Sequence, residues 1–274
     1  MNKERAYTLE DLLYLMQRLR DPHTGCAWDR QQTWESLVPY TLEEVYELVD
    51  AIAQGDSAHI REELGDVLFQ VIFYTQLSKE QQQFDFADVV HGLCDKLIRR
   101  HPHVFADGDL HKMLDATADI ASIKKQWEVI KQQERQAKQK TGLLDDIPKA
   151  LPALKRAQKL QKRAATVGFD WPAAQSALSK ISEELDELKQ AIDNNDAKNT
   201  AEEIGDLLFS CVNVARHLQL DAETLLGAAN SKFEQRFSYI ERSLTAAGRS
   251  FAQSSLLEMD NLWQQSKTLE KQAE

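Results

Sequence analysis

The sequence predicts an all-α protein built from two copies of one module, and three observations carry that prediction. Only 10 Gly and 6 Pro occur in 274 residues, while Ala, Leu, Gln, Glu and Lys, all strong helix formers, dominate. Apolar residues recur at spacings of three and four rather than in alternation, which is the helical period. The segment "EELGDVLFQ" at 62–70 returns as "EEIGDLLFS" at 202–210.

The repeat extends well beyond those nine residues. At a constant offset of 140, residues 41–70 match 181–210 at 13 of 30 positions. The matches include Glu43/Glu183, Glu44/Glu184, Glu47/Glu187, Glu62/Glu202, Glu63/Glu203 and Asp66/Asp206. Further along, the offset becomes 136 and aligns Lys96 with Lys232, Arg100 with Arg236 and Trp127 with Trp263, each Lys preceding its Trp by 31 residues. Two copies at so long a period indicate a duplicated domain and not a solenoid. The polar, basic run "KQQERQAKQK" and the Gly- and Pro-containing "TGLLDDIPKALP" mark the junction. The expected organisation is therefore an N-terminal module over 1–139, a linker over 140–152 and a C-terminal module over 153–274. The basic run itself is read as a solvated helix face or connector, not a nucleic-acid patch.

Composition excludes several classes. Cys26, Cys94 and Cys211 are odd in number and scattered, which fits neither a disulfide framework nor a zinc site and points to the reducing cytoplasm. The opening residues carry acids within their apolar part, and no run approaches the ~18 apolar residues of a membrane span. A formal net charge of -11 opposes binding of polynucleotides, but permits a small phosphorylated ligand held through metal ions.

Each copy reads as a helical hairpin. Val45, Leu48, Val49 and Ile52 form one stripe, Gly55 with Asp56 or Ser57 breaks the helix, and Leu64, Val67, Leu68, Val71 and Ile72 form the next. Glu47 and Glu63 lie eight residues either side of Gly55, hence both roughly 12 Å from the turn, while Glu44 and Asp66 lie roughly 16 Å from it. Acids three apart share a side of their helix, so four carboxylates converge at the margin of the apolar stripe. Around Asn195 the second copy repeats this with Glu184, Glu187, Glu203 and Asp206, beside Ile181, Leu185, Leu188 and Ile192 on one helix and Ile204, Leu207, Leu208 and Cys211 on the other. Four like charges so close call for a cation, and all-oxygen ligation selects Mg²⁺ or Mn²⁺. A ferritin-type di-iron site would need His three residues after a Glu, where Asp66 and Asp206 stand instead, with no His nearby. The "HPH" at 101–103 is read as structural. No Gly-rich phosphate loop occurs, so the metal would bridge ligand phosphates, assisted by the Lys/Arg pairs on one helical face, with the repeated Trp offering a stacking surface.

In this order, "TLEEVYELVDAI" with "REELGDVLFQVIFY", "KLIRRHPHVF", "VGFDWP", "ISEELDEL" with "AEEIGDLLFSCVNVARHL", "ANSKFEQRF" and "LWQQSK" resemble the MazG-type nucleoside triphosphate pyrophosphohydrolases, in their full-length two-module bacterial form. The resemblance implies an all-α fold whose hairpins complete four-helix bundles by homodimerisation, with Mg²⁺ bound by the four acids. It implies hydrolysis of nucleoside triphosphates to monophosphate and pyrophosphate, for nucleotide-pool cleaning or regulation. Carried over, the metal ligands are Glu184, Glu187, Glu203 and Asp206, with Glu44, Glu47, Glu63 and Asp66 as counterparts. Lys232 and Arg236 hold phosphates, Trp263 contacts base or ribose, and Lys180, Glu183 and Glu202 line the site. Catalytic roles fall on Glu183, Glu202, Glu203, Lys232 and Arg236. The N-terminal counterparts for substrate are Glu43, Glu62, Lys96, Arg100 and Trp127. The main activity is expected in the C-terminal copy. Tyr40 stands where the second copy has Lys180, and Arg99 and His101 where it has Gln235 and Phe237, so the two pockets are not chemically equivalent. Two rivals stay open at this stage: a regulatory protein that binds a nucleotide or alarmone without turnover, and a helical interaction scaffold.

Overall fold

A computed structural model describes residues 6–112, 119–137 and 142–273. Two compact units divide the chain, Met1–Gln132 and Gln133–Glu274. Lys140 and Thr141, the first positions of the predicted linker, and the last three residues of the basic run lie outside the described residues. Among the described residues the regular structure is helical and no strand is present. No helix among them is long and apolar enough to cross a membrane.

The first unit comprises α1 (Leu9–Leu19), α2 (Ala27–Gln31), α3 (Trp34–Gln54), α4 (Ser57–Glu80), α5 (Phe86–Arg100) and α6 (Ile120–Ala137), α6 continuing across the division. The predicted hairpin is α3–α4. Gly55 ends α3 in the left-handed conformation at φ 77°, and the Asp56 side chain accepts hydrogen bonds from the backbone N–H groups of Ala58 and His59 to start α4. A left-handed residue followed by a capping Asp is a strong local instruction to turn. Behind the hairpin, Met16, Leu37, Ile72, Phe73 and Leu77 form a closed core.

The second unit comprises α7 (Ala153–Ala165), α8 (Ala174–Asp193), α9 (Ala197–His217), α10 (Ala222–Ala246) and α11 (Leu256–Ala273). Its hairpin is α8–α9. Asn195 takes the left-handed conformation at φ 55°, one of the few non-glycine residues to do so at modest cost, and Asp196 caps α9 through Lys198 and Asn199. The offset of 140 thus holds for backbone geometry as well as for sequence. α7 packs on α9 and α10, and α10 on α11; Val212, Ala215 and Ala222 centre the core, with Leu154 and Ala157 against them.

The hairpin stripes differ from expectation in one respect. Val45, Val49, Ile52, Leu64, Leu68 and Val71 in the first unit are exposed, as are Leu185, Ile192, Ile204 and Leu208 in the second. The residues of α4 that do enter the core, Ile72, Phe73 and Leu77, lie toward its C-terminal half. Most of the predicted stripe therefore faces away from the core of its own unit.

Candidate functional site

In the second unit the hairpin brings ligand atoms of Glu184, Glu187 and Glu203 within 4.8 Å of one another. The cause is local: Glu184 and Glu187 share a side of α8, and Glu203 stands opposite on α9 at the same height above the turn. Glu184 is only 4 % exposed. Lys180, one turn earlier on α8, bonds Glu183 at 2.8 Å and Glu184 at 2.7 Å. The bonds from Glu183 and Glu184 raise the Lys180 ammonium above its ordinary pKa, so it stays protonated. Asp206 lies outside the tight trio but still acts on it. Burial first, then the charges of Glu187, Glu184, Asp206 and Glu202, push the Glu203 carboxyl above the ordinary range.

The first unit repeats the arrangement with a different trio, Glu44, Glu63 and Asp66. Burial first, then Asp66, Glu47, Glu63 and Glu43, raise Glu44. Glu47 instead lines an open cavity of about 600 Å³ with Glu43, Tyr46, Asp50, His59 and Glu63. Glu63 is 7 % exposed, and its Oε2 is buried with no hydrogen-bond partner. A buried carboxylate oxygen without a partner costs free energy unless something positive reaches it. The oxygen-only donor set, its mutual repulsion and this orphaned oxygen all fit a hard divalent cation.

Contrary to the expectation that no His stands near these acids, His59 Nε2 is 3.0 Å from Glu63 Oε1. His59 is four residues before Glu63, one turn along α4, and that spacing was the available signal. Its counterpart at the offset of 140 is Asn199, so the first unit places an imidazole where the second has an amide.

The predicted phosphate-binding residues form a separate group on α10 and α11. Arg236 bonds Glu270 through Nε at 3.0 Å and Nη2 at 2.6 Å, and its guanidinium lies 5.4 Å from the centre of the Trp263 ring. The Arg236 bonds hold the Glu270 carboxyl below its ordinary pKa, and Lys232 lowers it further. Glu270 lies 34 residues after Arg236 and on another helix, so no local spacing announced it. In the first unit Trp127 packs edge-on against His101, ring centres 5.3 Å apart. His101 also bonds the Leu97 carbonyl through Nδ1 at 2.6 Å. Lys96 and Arg100 are half-buried on α5, and Glu62 and Glu202 are exposed on α4 and α9.

A pocket of about 760 Å³ lies beside the acids of the second unit, lined by Lys180, Glu184 and Asp206 together with Phe169 and Trp171. Lys232, Arg236 and Trp263 do not line it. A cavity of about 520 Å³ in the first unit, between Trp34, Val38, Val71 and Tyr74, is lined by none of the eight acids predicted as metal ligands.

The family model for the MazG nucleotide pyrophosphohydrolase domain matches this chain twice, at residues 32–105 and 173–240. Each matched segment contains one complete set of four acids. The chain is 48 % identical over 266 residues to a nucleoside triphosphate pyrophosphohydrolase of Escherichia coli (strain K12), covering 96 % of this chain and 98 % of that protein. It is 42 % identical over 265 residues to the nucleoside triphosphate pyrophosphohydrolase/pyrophosphatase MazG of Thermotoga maritima, covering 97 % of this chain and 98 % of that one. With two domain matches set on the two acid-bearing hairpins and relatives aligned from end to end, the chain belongs to the MazG nucleotide pyrophosphohydrolase family.

Proposed function

We propose that the protein hydrolyses nucleoside triphosphates, ordinary and aberrant, ribo and deoxyribo, at the bond between the α and β phosphates. Water adds to phosphorus, the anhydride bond breaks, and the products are a nucleoside monophosphate and pyrophosphate. The observation that supports this reading most is the duplicated acid cluster within a family of this activity, with a buried carboxylate oxygen left open on Glu63.

Mg²⁺, or Mn²⁺ in its place, would be held by Glu184, Glu187, Glu203 and Asp206, and in the first unit by Glu44, Glu47, Glu63 and Asp66. When bound, such an ion neutralises phosphate charge and acidifies water. The chain's own groups do the rest. Lys180, anchored by Glu183 and Glu184, presents a fixed positive charge beside the acids. Glu183, Glu202 and Glu203 are the groups available to take the proton of the attacking water. Lys232 and Arg236 stabilise the departing pyrophosphate, and Trp263 contacts the base or ribose. The protein works as a cytoplasmic homodimer that closes the exposed hairpin stripes, without membrane or polynucleotide contact, and serves nucleotide-pool cleaning or control.

Incubation with a panel of nucleoside triphosphates, with and without Mg²⁺, followed by ion-exchange separation, tests the reaction. Monophosphate and pyrophosphate in equal amounts are expected, only with the metal. Diphosphate and phosphate, or no product, would overturn the reading.

Proton linkage follows from the raised carboxyls. Glu44 and Glu203 keep a proton to higher pH than a free Glu, which titrates near ~4.3. Because their ionised form is disfavoured in the folded state, the metal-free protein should gain stability as pH falls from neutral into that raised range. Metal must displace those protons, so Mg²⁺ added just above the ordinary carboxylate range should release protons, and at neutral pH should release almost none. A pH-stat titration reads this directly; equal release at both pH values would contradict it.

A further inference from the structure

We infer that Glu270 is a positioning residue for the reaction: it grips one edge of the Arg236 guanidinium so that the opposite edge is held out to the departing pyrophosphate. This rests on the proposed hydrolysis, with Arg236 as a phosphate-binding residue, and adds the group that aims it.

A guanidinium carries five N–H donors in a rigid plane. Glu270 engages the one on Nε, at 3.0 Å to Oε1 and 3.1 Å to Oε2, and one on Nη2, at 2.6 Å to Oε2. Among the described residues nothing else bonds this side chain, so both N–H groups of Nη1 and the second of Nη2 remain. Together they form the end-on fork that matches two phosphate oxygens. The plane is fixed as well, because the guanidinium lies 5.4 Å from the centre of the Trp263 ring in a cation–π contact, and that ring meets Phe233 at 5.3 Å between centres. With one edge bonded and one face stacked, the fork is set before a ligand arrives.

The bonds from Arg236 hold the Glu270 carboxyl below its ordinary pKa against a smaller opposing effect of burial, and Lys232 and Lys267 lower it further. Three cations act on one carboxylate, so the group stays net positive toward an anion after the pair has formed. Stability does not account for the pair. Glu270 stands three residues before the end of α11, where a carboxylate opposes the helix dipole, and its side chain is 35 % exposed, where an ion pair contributes little.

The duplication supplies an independent observation. At the offset of 136, Lys267 corresponds to Lys131 and Glu270 to Glu134. When residues 232–236 and 263–270 are set against 96–100 and 127–134, five of thirteen positions match, and the five are Lys232, Arg236, Trp263, Lys267 and Glu270. Every residue beside them on these stretches has changed. Glu134 also stands three residues before the last residue of α6, Ala137, as Glu270 does before Ala273. A carboxylate kept in register with the arginine, while its neighbours changed, belongs to the arginine's task.

The test is a double-mutant cycle in the full chain: wild type, Glu270→Ala, Arg236→Ala and both together, assayed for pyrophosphate release from dATP with Mg²⁺. Glu270→Ala should lower kcat about tenfold and leave KM within about twofold, because the fork acts on charge that develops as pyrophosphate departs. In the Arg236→Ala background the same substitution should change kcat by less than about twofold. Thermal melts should show all four proteins folded, since the pair is partly exposed and Ala favours a helix. A purely structural role would leave kcat of the folded Glu270→Ala protein at the wild-type value, and that result overturns the inference. Equal losses in both backgrounds would show Glu270 acting without Arg236, and a rate above wild type would make it a competitor for the guanidinium; either also overturns it. If wild type releases no pyrophosphate the proposed reaction fails, and the four proteins are compared instead by calorimetric titration with inorganic pyrophosphate and Mg²⁺, as they are if Arg236→Ala is too slow to assay. Kd should then rise about tenfold in Glu270→Ala, and the substitution should add less than about twofold once Arg236 is gone. No binding by wild type, or an unchanged Kd in Glu270→Ala, overturns the positioning role.

Discussion

Replacing Glu203 by Ala should abolish pyrophosphate release, by at least a hundredfold, in a protein that remains folded. A bound divalent ion is worth several kcal/mol of charge stabilisation during phosphoryl chemistry, and about 2.7 kcal/mol already corresponds to a hundredfold in rate. Glu203 faces Glu184 and Glu187 across the hairpin with ligand atoms within 4.8 Å, so its loss opens the donor set. The variant should nonetheless melt no lower than wild type without metal. Ala is the best helix former, and burial first, then repulsion from the neighbouring acids, disfavour the ionised Glu203 in the folded protein. The two readouts together separate metal holding from structural support. Wild type should gain melting temperature with Mg²⁺ and the variant should gain less. Glu63→Ala makes the matching test in the first unit, where the deleted side chain carries the orphaned oxygen. An Mg²⁺-dependent rate equal to wild type in Glu203→Ala would remove Glu203 from the site.

The second large effect is on assembly. Val49→Lys combined with Leu208→Lys should convert the proposed homodimer into a monomer of 31.3 kDa by sedimentation, with activity falling alongside. Val49 and Leu208 stand exposed on the two hairpins, each among further exposed aliphatic side chains. Burying one such side chain contributes about 1.5–3 kcal/mol, and an ammonium placed in the closed face would add the cost of an unpaired charge. Activity should follow mass if the proposed second chain covers that face, since the acids stand on the same hairpins as the exposed side chains. A wild-type protein that sediments as a monomer at working concentrations would defeat the proposed dimer.

What the sequence made legible was what local rules determine. Gly55 and Asn195 sit at the same register of two hairpins, each followed by Asp, and left-handed turns with N-caps formed at both. Acids three apart on facing helices had to meet at one height, and trios from each set did so. The features that escaped are those made by tertiary packing. Arg236 and Glu270 meet because α10 packs on α11, and Gln161 and Asn213 share a pocket because α7 packs on α9. "VGFDWP" was visible as a motif, but nothing in its composition said that its aromatics would wall that pocket. The stripes were legible as apolar, whereas the side they would present depended on which neighbours the core recruited. His59 was a simpler omission, since one helical turn separates it from Glu63.

Duplication also changes the valence of the molecule. A chain with two self-complementary faces is bivalent: paired with two different neighbours it would grow into an open-ended string, and paired twice with one neighbour it closes. Where one neighbour can meet both faces, closure is favoured because the first pairing holds the second pair of faces at high effective concentration. Two modest contacts on one chain would then act as a single avid one. Chains that share both pairings would separate only when both hairpins let go, so either module alone could drift in sequence without releasing its partner.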